Sequence, residues 1–284
     1  MTEKIALIVD SGADVPPAVL AAHPNIAVVP LTVRLNGQEY RDNVDLTPDE
    51  FYAALSAQRL PQTASPAPAT VTGTLEVLFA AGYTRVLGIT IASALSATYQ
   101  TFRLASSEFA EGQVMVLDSK SAGIGTGLVV AQAAALIAAG LDFPAVIAGT
   151  QAAIAHSHVY LYLPTLTYLQ AGGRIGRVAG TLGTALNIKP LLTVNEQGEI
   201  TPIAKVRSEK KAVAKLIDVA LAAARPDAVI AVAHGANPAL LHSVSQQIQA
   251  AGRPVTYIGS VSPAIGAHTG PGLIGVAVGQ SKSN

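Results

Sequence analysis

Cysteine and tryptophan are both absent from these 284 residues, and phenylalanine occurs only five times. The first absence removes disulfides, thiolate nucleophiles and sulfur-ligated metal centres, and it fits a cytoplasmic protein. The scarcity of large aromatics argues for an aliphatic core and against ligand recognition by stacking. Charge of either sign is sparse: 18 Lys and Arg balance 18 Asp and Glu, 13% of residues in all, for a formal net charge of +0. No general field draws the chain to nucleic acid or to an anionic membrane, so at most a transient membrane-surface contact is expected. Long hydrophobic runs are also missing. The most lipophilic stretch, Gly127 to Leu141, is interrupted by Gln132 and too short to span a bilayer. The N-terminal Met-Thr-Glu-Lys leads into Ile5–Val9 without the layout of a signal peptide.

What is there is apolar and punctuated. Half the residues are hydrophobic, and 25 Gly and 17 Pro are spread along the chain. The length predicts two domains, with a boundary near residue 155: an N-terminal α/β domain over 1–155 and a C-terminal one over 156–284. Apolar runs at 4–9, 85–91 and 113–117 alternate with helical stretches at about 96–109 and 126–139. That alternation predicts a largely parallel sheet with helical cover. Residues 28–41 read as a hairpin around Asn36-Gly37, and Thr47-Pro48-Asp49-Glu50 as a capped helix start. Asp14 and Ser96 are the expected caps of the helices that follow them. In the second half, strands at 188–194 and 199–206 form a hairpin around Glu196-Gln197-Gly198, a helical stretch ends near Leu186, and helices over 208–224 and 238–250 flank a strand at 228–233.

The candidate chemistry is a set of hydroxyls and one histidine. Ser262 to Gly275 places His268 in a Gly- and Pro-rich run that is expected to be neither helix nor regular strand. Thr63 lies in the Pro-rich turn Thr63–Pro68, held extended by its prolines, and Ser93 follows the apolar run ending at Ile91. Ser, Thr and His without an acidic pair suit holding an anion. Asp10-Ser11 and Asp118-Ser119 end strands, where open parallel sheets collect ligands, although a turn or cap explains them better. Gly123–Gly127 resembles a phosphate-cradling turn but has Leu128 where the dinucleotide fingerprint needs Gly, so a packing turn fits better. His156 and His158 lack a third metal ligand. Arg174, in Gly172–Gly176, and the basic run Lys205–Lys211 with Arg207 are candidate phosphate or partner contacts; a solvated surface is the plainer alternative.

Taken together, Val9-Asp-Ser11, Thr63–Pro68, Ile91–Gln100, Asp118-Ser119, Tyr168–Gly176, Asn187–Pro190 and Ile265–Gly275 resemble the DegV family of bacterial fatty acid-binding proteins. The likeness covers nearly the whole chain, departing from it at Ala64, Ala67 and Ala97. It implies two α/β domains, the N-terminal one built on a largely parallel sheet with helical cover and the C-terminal one a mixed α/β sandwich, with a long-chain fatty acid between them. It implies further that Thr63, Ser93 and His268 bind the carboxylate, that a separate fatty acid kinase phosphorylates the bound acid, and that neither cofactor nor metal is required. The competing expectations are a small-molecule hydrolase using Ser93 and His268 with Asp10 or Asp118 as orienter, and a lipid-binding regulator without a kinase partner.

Overall fold

A computed structural model describes residues 3–56, 58–181 and 189–279. The strands in chain order are β1 Ile5–Asp10, β2 Ile26–Val29, β3 Thr32–Leu35, β4 Gln38–Arg41, β5 Gln62–Ala64, β6 Arg85–Thr90 and β7 Val114–Asp118 in the first half. In the second half they are β8 His158–Tyr162, β9 Lys189–Val194, β10 Ile200–Val206, β11 Val229–His234, β12 Tyr257–Ser260 and β13 Ile274–Gly279. They form a parallel sheet in the order β2-β1-β6-β7, a mixed sheet in the order β10-β9-β8-β13-β11-β12, and a small antiparallel sheet β4-β3-β5.

The first sheet follows from its central strand. All six residues of β1 are buried, so both faces must be covered, as expected of parallel sheets. The two-residue alternation sends Ile5, Leu7 and Val9 into one core with the helices Ile124–Ala138 and Phe143–Ala155. It sends Ala6 and Ile8 into another with the helices Pro68–Ala80 and Thr98–Ser106. The mixed sheet divides in the same way. Tyr162, Ile230, Val232, Ile274 and Val276 face the helices Glu209–Ala223 and Pro238–Ala250. Their neighbours Val159, Ala231, Ala233 and Ala277 face inward, toward Ile124 and Leu128 of the first half.

The expected 28–41 hairpin is shorter than read, because Val28 and Val29 belong to the parallel sheet and the chain turns at Pro30 before pairing as β3–β4. Asn36 and Gly37 have φ of 51° and 91°, the positive pair that a two-residue hairpin turn needs. The Thr47 cap is present in full: its side chain accepts from the Glu50 amide while the Glu50 carboxylate accepts from the Thr47 amide. Asp14 does not cap the helix that follows it. It sits at φ 43°, and its carboxylate accepts from the Ser262 amide, 248 residues away, while the helix it precedes starts at Pro17. Ser96 stands one residue outside its cap position, and its Oγ accepts from the Thr98 amide at 3.3 Å. Part of the helical stretch expected to end near Leu186, the first residue of the strand expected over 188–194, and Asn187 of the Asn187–Pro190 motif lie outside the described residues.

The largest correction concerns 262–275. Pro263–Thr269 is a helix, with Pro263 in its first turn, the Ser262 side chain accepting from the Ile265 amide, and Gly270 at φ 73° ending it. Pro and Gly start and stop this helix rather than forbid it. Its apolar face, Ala264 and Ala267, packs with Leu31, Val33 and Phe51 beneath the small sheet. The sequence reading also passed over the helix Phe143–Ala155 and the edge strand β12.

Candidate functional site

The inward face of the mixed sheet and the strand ends of the first half enclose an apolar cavity of about 80 Å³. Val159 and Leu161 of β8, Ala233 of β11 and Gly275 of β13 form its floor, while Leu31, Ile91 and Leu95 approach from the opposite side. Side-chain alternation explains the floor: in β8 the residues between and beyond these two, Tyr160 and Tyr162, turn toward the helix-covered core.

Polar groups gather on one part of this wall. Thr63 Oγ1 and His268 Nε2 are 2.7 Å apart across 205 residues of sequence, and both side chains line the cavity with Ser96 and Arg174. β5 brings Thr63 there by pairing with β3, Thr63 opposite Val33. The last turn of Pro263–Thr269 brings His268. Burial lowers the imidazole to about 4, with Arg174 adding to the effect, so the ring is neutral at physiological pH. Its Nδ1 is buried and has no hydrogen-bond partner. Behind it lies Gly172, where a Cβ would collide with Nδ1. The Arg174 side chain is fixed by donating from Nε to the Leu95 carbonyl at 3.0 Å and from one terminal nitrogen to the Gly172 carbonyl at 2.6 Å. Sequence reasoning placed Arg174 among partner contacts; the fold sets it in the cavity wall beside His268, as its Gly-Gly-Arg context close to a histidine-bearing helix could have suggested only in three dimensions.

Ser93 is not brought to the Thr63–His268 pair and does not line the cavity. Its amide donates to Asp118 Oδ1 at 3.2 Å, and Lys120 Nζ lies 2.7 Å from the other oxygen. Burial pushes the Asp118 carboxyl up, but hydrogen bonds from Lys120 and Ser93 outweigh it and leave the group below its ordinary value. Neither Asp118 nor Asp10 orients His268, whose Nδ1 is unpartnered, so the base–orienter link of a hydrolytic triad is not assembled. Arg207 is exposed just ahead of the helix Glu209–Ala223. Gly123–Gly127 is not a turn ahead of the helix but the cap and first turn of Ile124–Ala138, closely packed: a Cβ at Gly127 would stand 2.7 Å from the Asp14 carbonyl. His158 stacks loosely on Tyr160, and among the described residues no group of three His, Asp or Glu is placed to hold a metal ion. Among them, too, no helix is long and apolar enough to cross a membrane.

A second polar cluster lies at the other end of the same short helix. Asp10 and Asp42 are 0% and 1% exposed. Asp10 Oδ2 accepts from the Ile91 amide at 2.9 Å, Asp14 Oδ1 from Ser262 at 3.1 Å and Asp42 Oδ1 from Ala264 at 3.1 Å. The remaining oxygens, Asp10 Oδ1, Asp14 Oδ2 and Asp42 Oδ2, are buried without partners. Burial pushes Asp10 up to about 7, Asp42 up to about 6 and Asp14 well above the usual carboxylate range.

Comparison with known proteins matches this arrangement to one group. A model of the DegV family, described as uncharacterised proteins, matches residues 4–280. A DegV domain-containing protein of Clostridium acetobutylicum is 34% identical over 281 residues, covering 97% of this chain and 99% of its own. A DegV family protein from Thermus thermophilus, described for its fatty acid binding, superposes with a TM-score of 0.90 at 30% identity, covering 98% of this chain and 100% of its own. A fatty acid binding DegV family protein from Streptococcus agalactiae gives 0.89 at 28% identity, over 99% and 100%. The α/β architecture, the relatives and the family match agree: the chain belongs to the DegV family.

Proposed function

We propose that this protein binds a long-chain fatty acid in the cavity between its two halves, divided near residue 155, and presents the carboxylate to a separate kinase that makes the acyl phosphate. The observation that carries the reading is the Thr63–His268 pair set in the wall of a mostly aliphatic cavity. With the imidazole protonated on Nε2, it donates to Thr63 Oγ1 and leaves the threonine hydroxyl proton free to turn toward a carboxylate. Arg174 supplies a nearby positive charge. A buried anion needs such donors, since an unpaired one is prohibitively costly. Each methylene removed from water contributes about 0.8 kcal/mol.

Ser93 belongs to this proposal in a lesser role, on the same loop as Leu95 but turned to Asp118. Kinase docking is assigned to the exposed Arg207 and its basic neighbours, leaving Arg174 to the head group. The reading needs no catalytic group, cofactor or metal from this chain, and it places the protein in the cytoplasm. Native mass spectrometry of the purified protein tests it: a co-purified C14–C20 acid, as an estimate of the usual long-chain range bounded by hydrophobic gain per carbon, supports it. An empty protein that hydrolyses ester substrates points instead to an enzyme.

A further inference from the structure

The helix that carries His268 is only seven residues long, too short to hold its own position in water. Something else must fix where the imidazole lies. At the His268 end the contacts are lateral: Thr63 at Nε2 and the Cβ-free face of Gly172 against Nδ1. At the opposite end the first amides are held by two carboxylates from remote parts of the chain, Asp14 on Ser262 and Asp42 on Ala264. Those carboxylates are anchored in turn. Asp42 lies beside Ser11, whose side chain favours the ionised carboxylate and whose Oγ accepts from the Leu31 amide at 3.0 Å. Asp14 follows directly on β1 and the turn Ser11–Ala13, and the Gly12 carbonyl accepts from the Gly123 amide. The rigid centre of the parallel sheet is thereby tied to the histidine segment. The free oxygens of the cluster are buried, and Asp42 is not among the residues that line the aliphatic cavity, although Asp14 is.

We propose that Asp14 and Asp42 are positioning residues for His268: they fix the segment Ser262–Thr269 against the end of β1 and so set fatty acid affinity without Asp42 touching the acid. The inference rests on the head-group reading of Thr63 and His268. Charge-assisted hydrogen bonds to buried amides are the strong kind, and losing one lets the helix shift by more than the tolerance of a 2.7 Å contact.

The experiment is a double-mutant cycle on palmitate affinity, read by displacement of a fluorescent fatty acid, in the full chain with Asp42→Ala, His268→Ala and both. Asp42→Ala is expected to weaken palmitate binding by about tenfold and to cost little further in the His268→Ala background, because the two act through one contact. Asp42→Asn, which keeps an acceptor for Ala264, is expected to restore most of the affinity, and the His268 ring signals in NMR should shift in Asp42→Ala but not in Asp42→Asn. Additive losses, unchanged affinity in Asp42→Ala, or a fixed His268 signal overturn the positioning role while leaving the head-group reading standing. Normal palmitate binding by His268→Ala alone sinks both. If Asp42→Ala does not fold, Asp14→Gly takes its place in the cycle, since glycine accepts the φ of 43° found there while deleting the acceptor.

Discussion

The two polar clusters at opposite ends of the helix Pro263–Thr269 are built from opposite materials. Around His268 the polar groups are a neutral imidazole, a hydroxyl and a guanidinium, and they border an apolar cavity. Around Ser262 the uncommitted groups are three carboxylate oxygens shut away from solvent. Burial acts on both, but it empties one of its proton and fills the other: His268 is driven down to about 4, Asp10 up to about 7. A donor-bearing cluster beside a cavity is disposed to take an anion. An acceptor cluster whose free oxygens are buried is disposed to share protons and hold amides.

The strongest way to break this contrast is to remove the donors. Thr63→Ala and His268→Ala should each weaken fatty acid binding by about 1–3 kcal/mol, the cost of leaving buried polar groups unpaired, and a methyl ester should bind worse than the free acid. If the ester bound as tightly as the acid and neither variant mattered, recognition would rest on the tail. Because His268 is already neutral, its contribution should be flat between pH 6 and 8, values chosen well above its titration near 4. Ser93→Ala should cost less than Thr63→Ala, by about 1 kcal/mol, since Ser93 lies outside the cavity wall.

Next in size is the wall behind the ring. Gly172→Ala places a methyl group against His268 Nδ1, which should move the imidazole and cost about 1–2 kcal/mol of binding, an overpacking effect. A Tm close to the parent's would localise the damage to the site. Gly275→Val, on the cavity floor, should penalise long acids more than short ones by about 1 kcal/mol, because its side chain occupies space meant for the tail. Equal losses for all chain lengths would remove Gly275 from the tail path.

The acidic side is sharpened through pH rather than affinity. Asp10 has an ordinary value of 3.8 and is raised to about 7 by burial, so the folded protein holds a proton there that the unfolded chain releases. This contribution is complete below pH 3.8 and is lost as pH rises through about 7, each unit of separation being worth about 1.4 kcal/mol. Asp10→Asn lacks that loss. Urea unfolding of both proteins should therefore show the variant gaining on the parent between pH 5 and pH 8, an interval chosen to straddle the folded value. A constant gap would mean that Asp10 stays ionised. The smallest effect on binding is expected of Arg207→Ala: affinity for the acid unchanged within about 0.5 kcal/mol, as for most surface substitutions, with slower phosphorylation by the proposed kinase at limiting protein. Normal turnover would assign Arg207 to solvation alone.

Much of the fold was legible because its signals are local. Asn36-Gly37, the Thr47 box and the buried run of β1 each declare themselves within a few residues. Where reading failed, the deciding partner lay far away. Asp14 has the composition of a cap, but Ser262 claims it. Ser93 and Thr63 look alike in sequence, and only the fold turns one to Asp118 and the other to His268. Gly172 reads as part of a loose turn until an imbedded imidazole fills the place of its missing side chain. Two misses were avoidable: Asp142 accepts from the Ala145 amide at the start of the unread helix Phe143–Ala155, an ordinary cap with Pro in the first turn, and Ser262-Pro263 is the same signal for the helix taken as irregular.

The bonds that define the site join residues 205, 222 and 248 positions apart, and this has a consequence in time. Closing loops of that length is slow relative to local structure, and a strand such as β13, seated between β8 and β11 in the mixed sheet, can be placed only after its neighbours exist. As the chain is made, the hydroxyl of Thr63 precedes its partner by most of the sequence. Asp14 and Asp42 wait for Ser262 and Ala264. Competence to hold an acid is thus among the last properties the folding chain acquires, and a stalled or nicked chain that keeps its parallel sheet intact would still have no place for a head group.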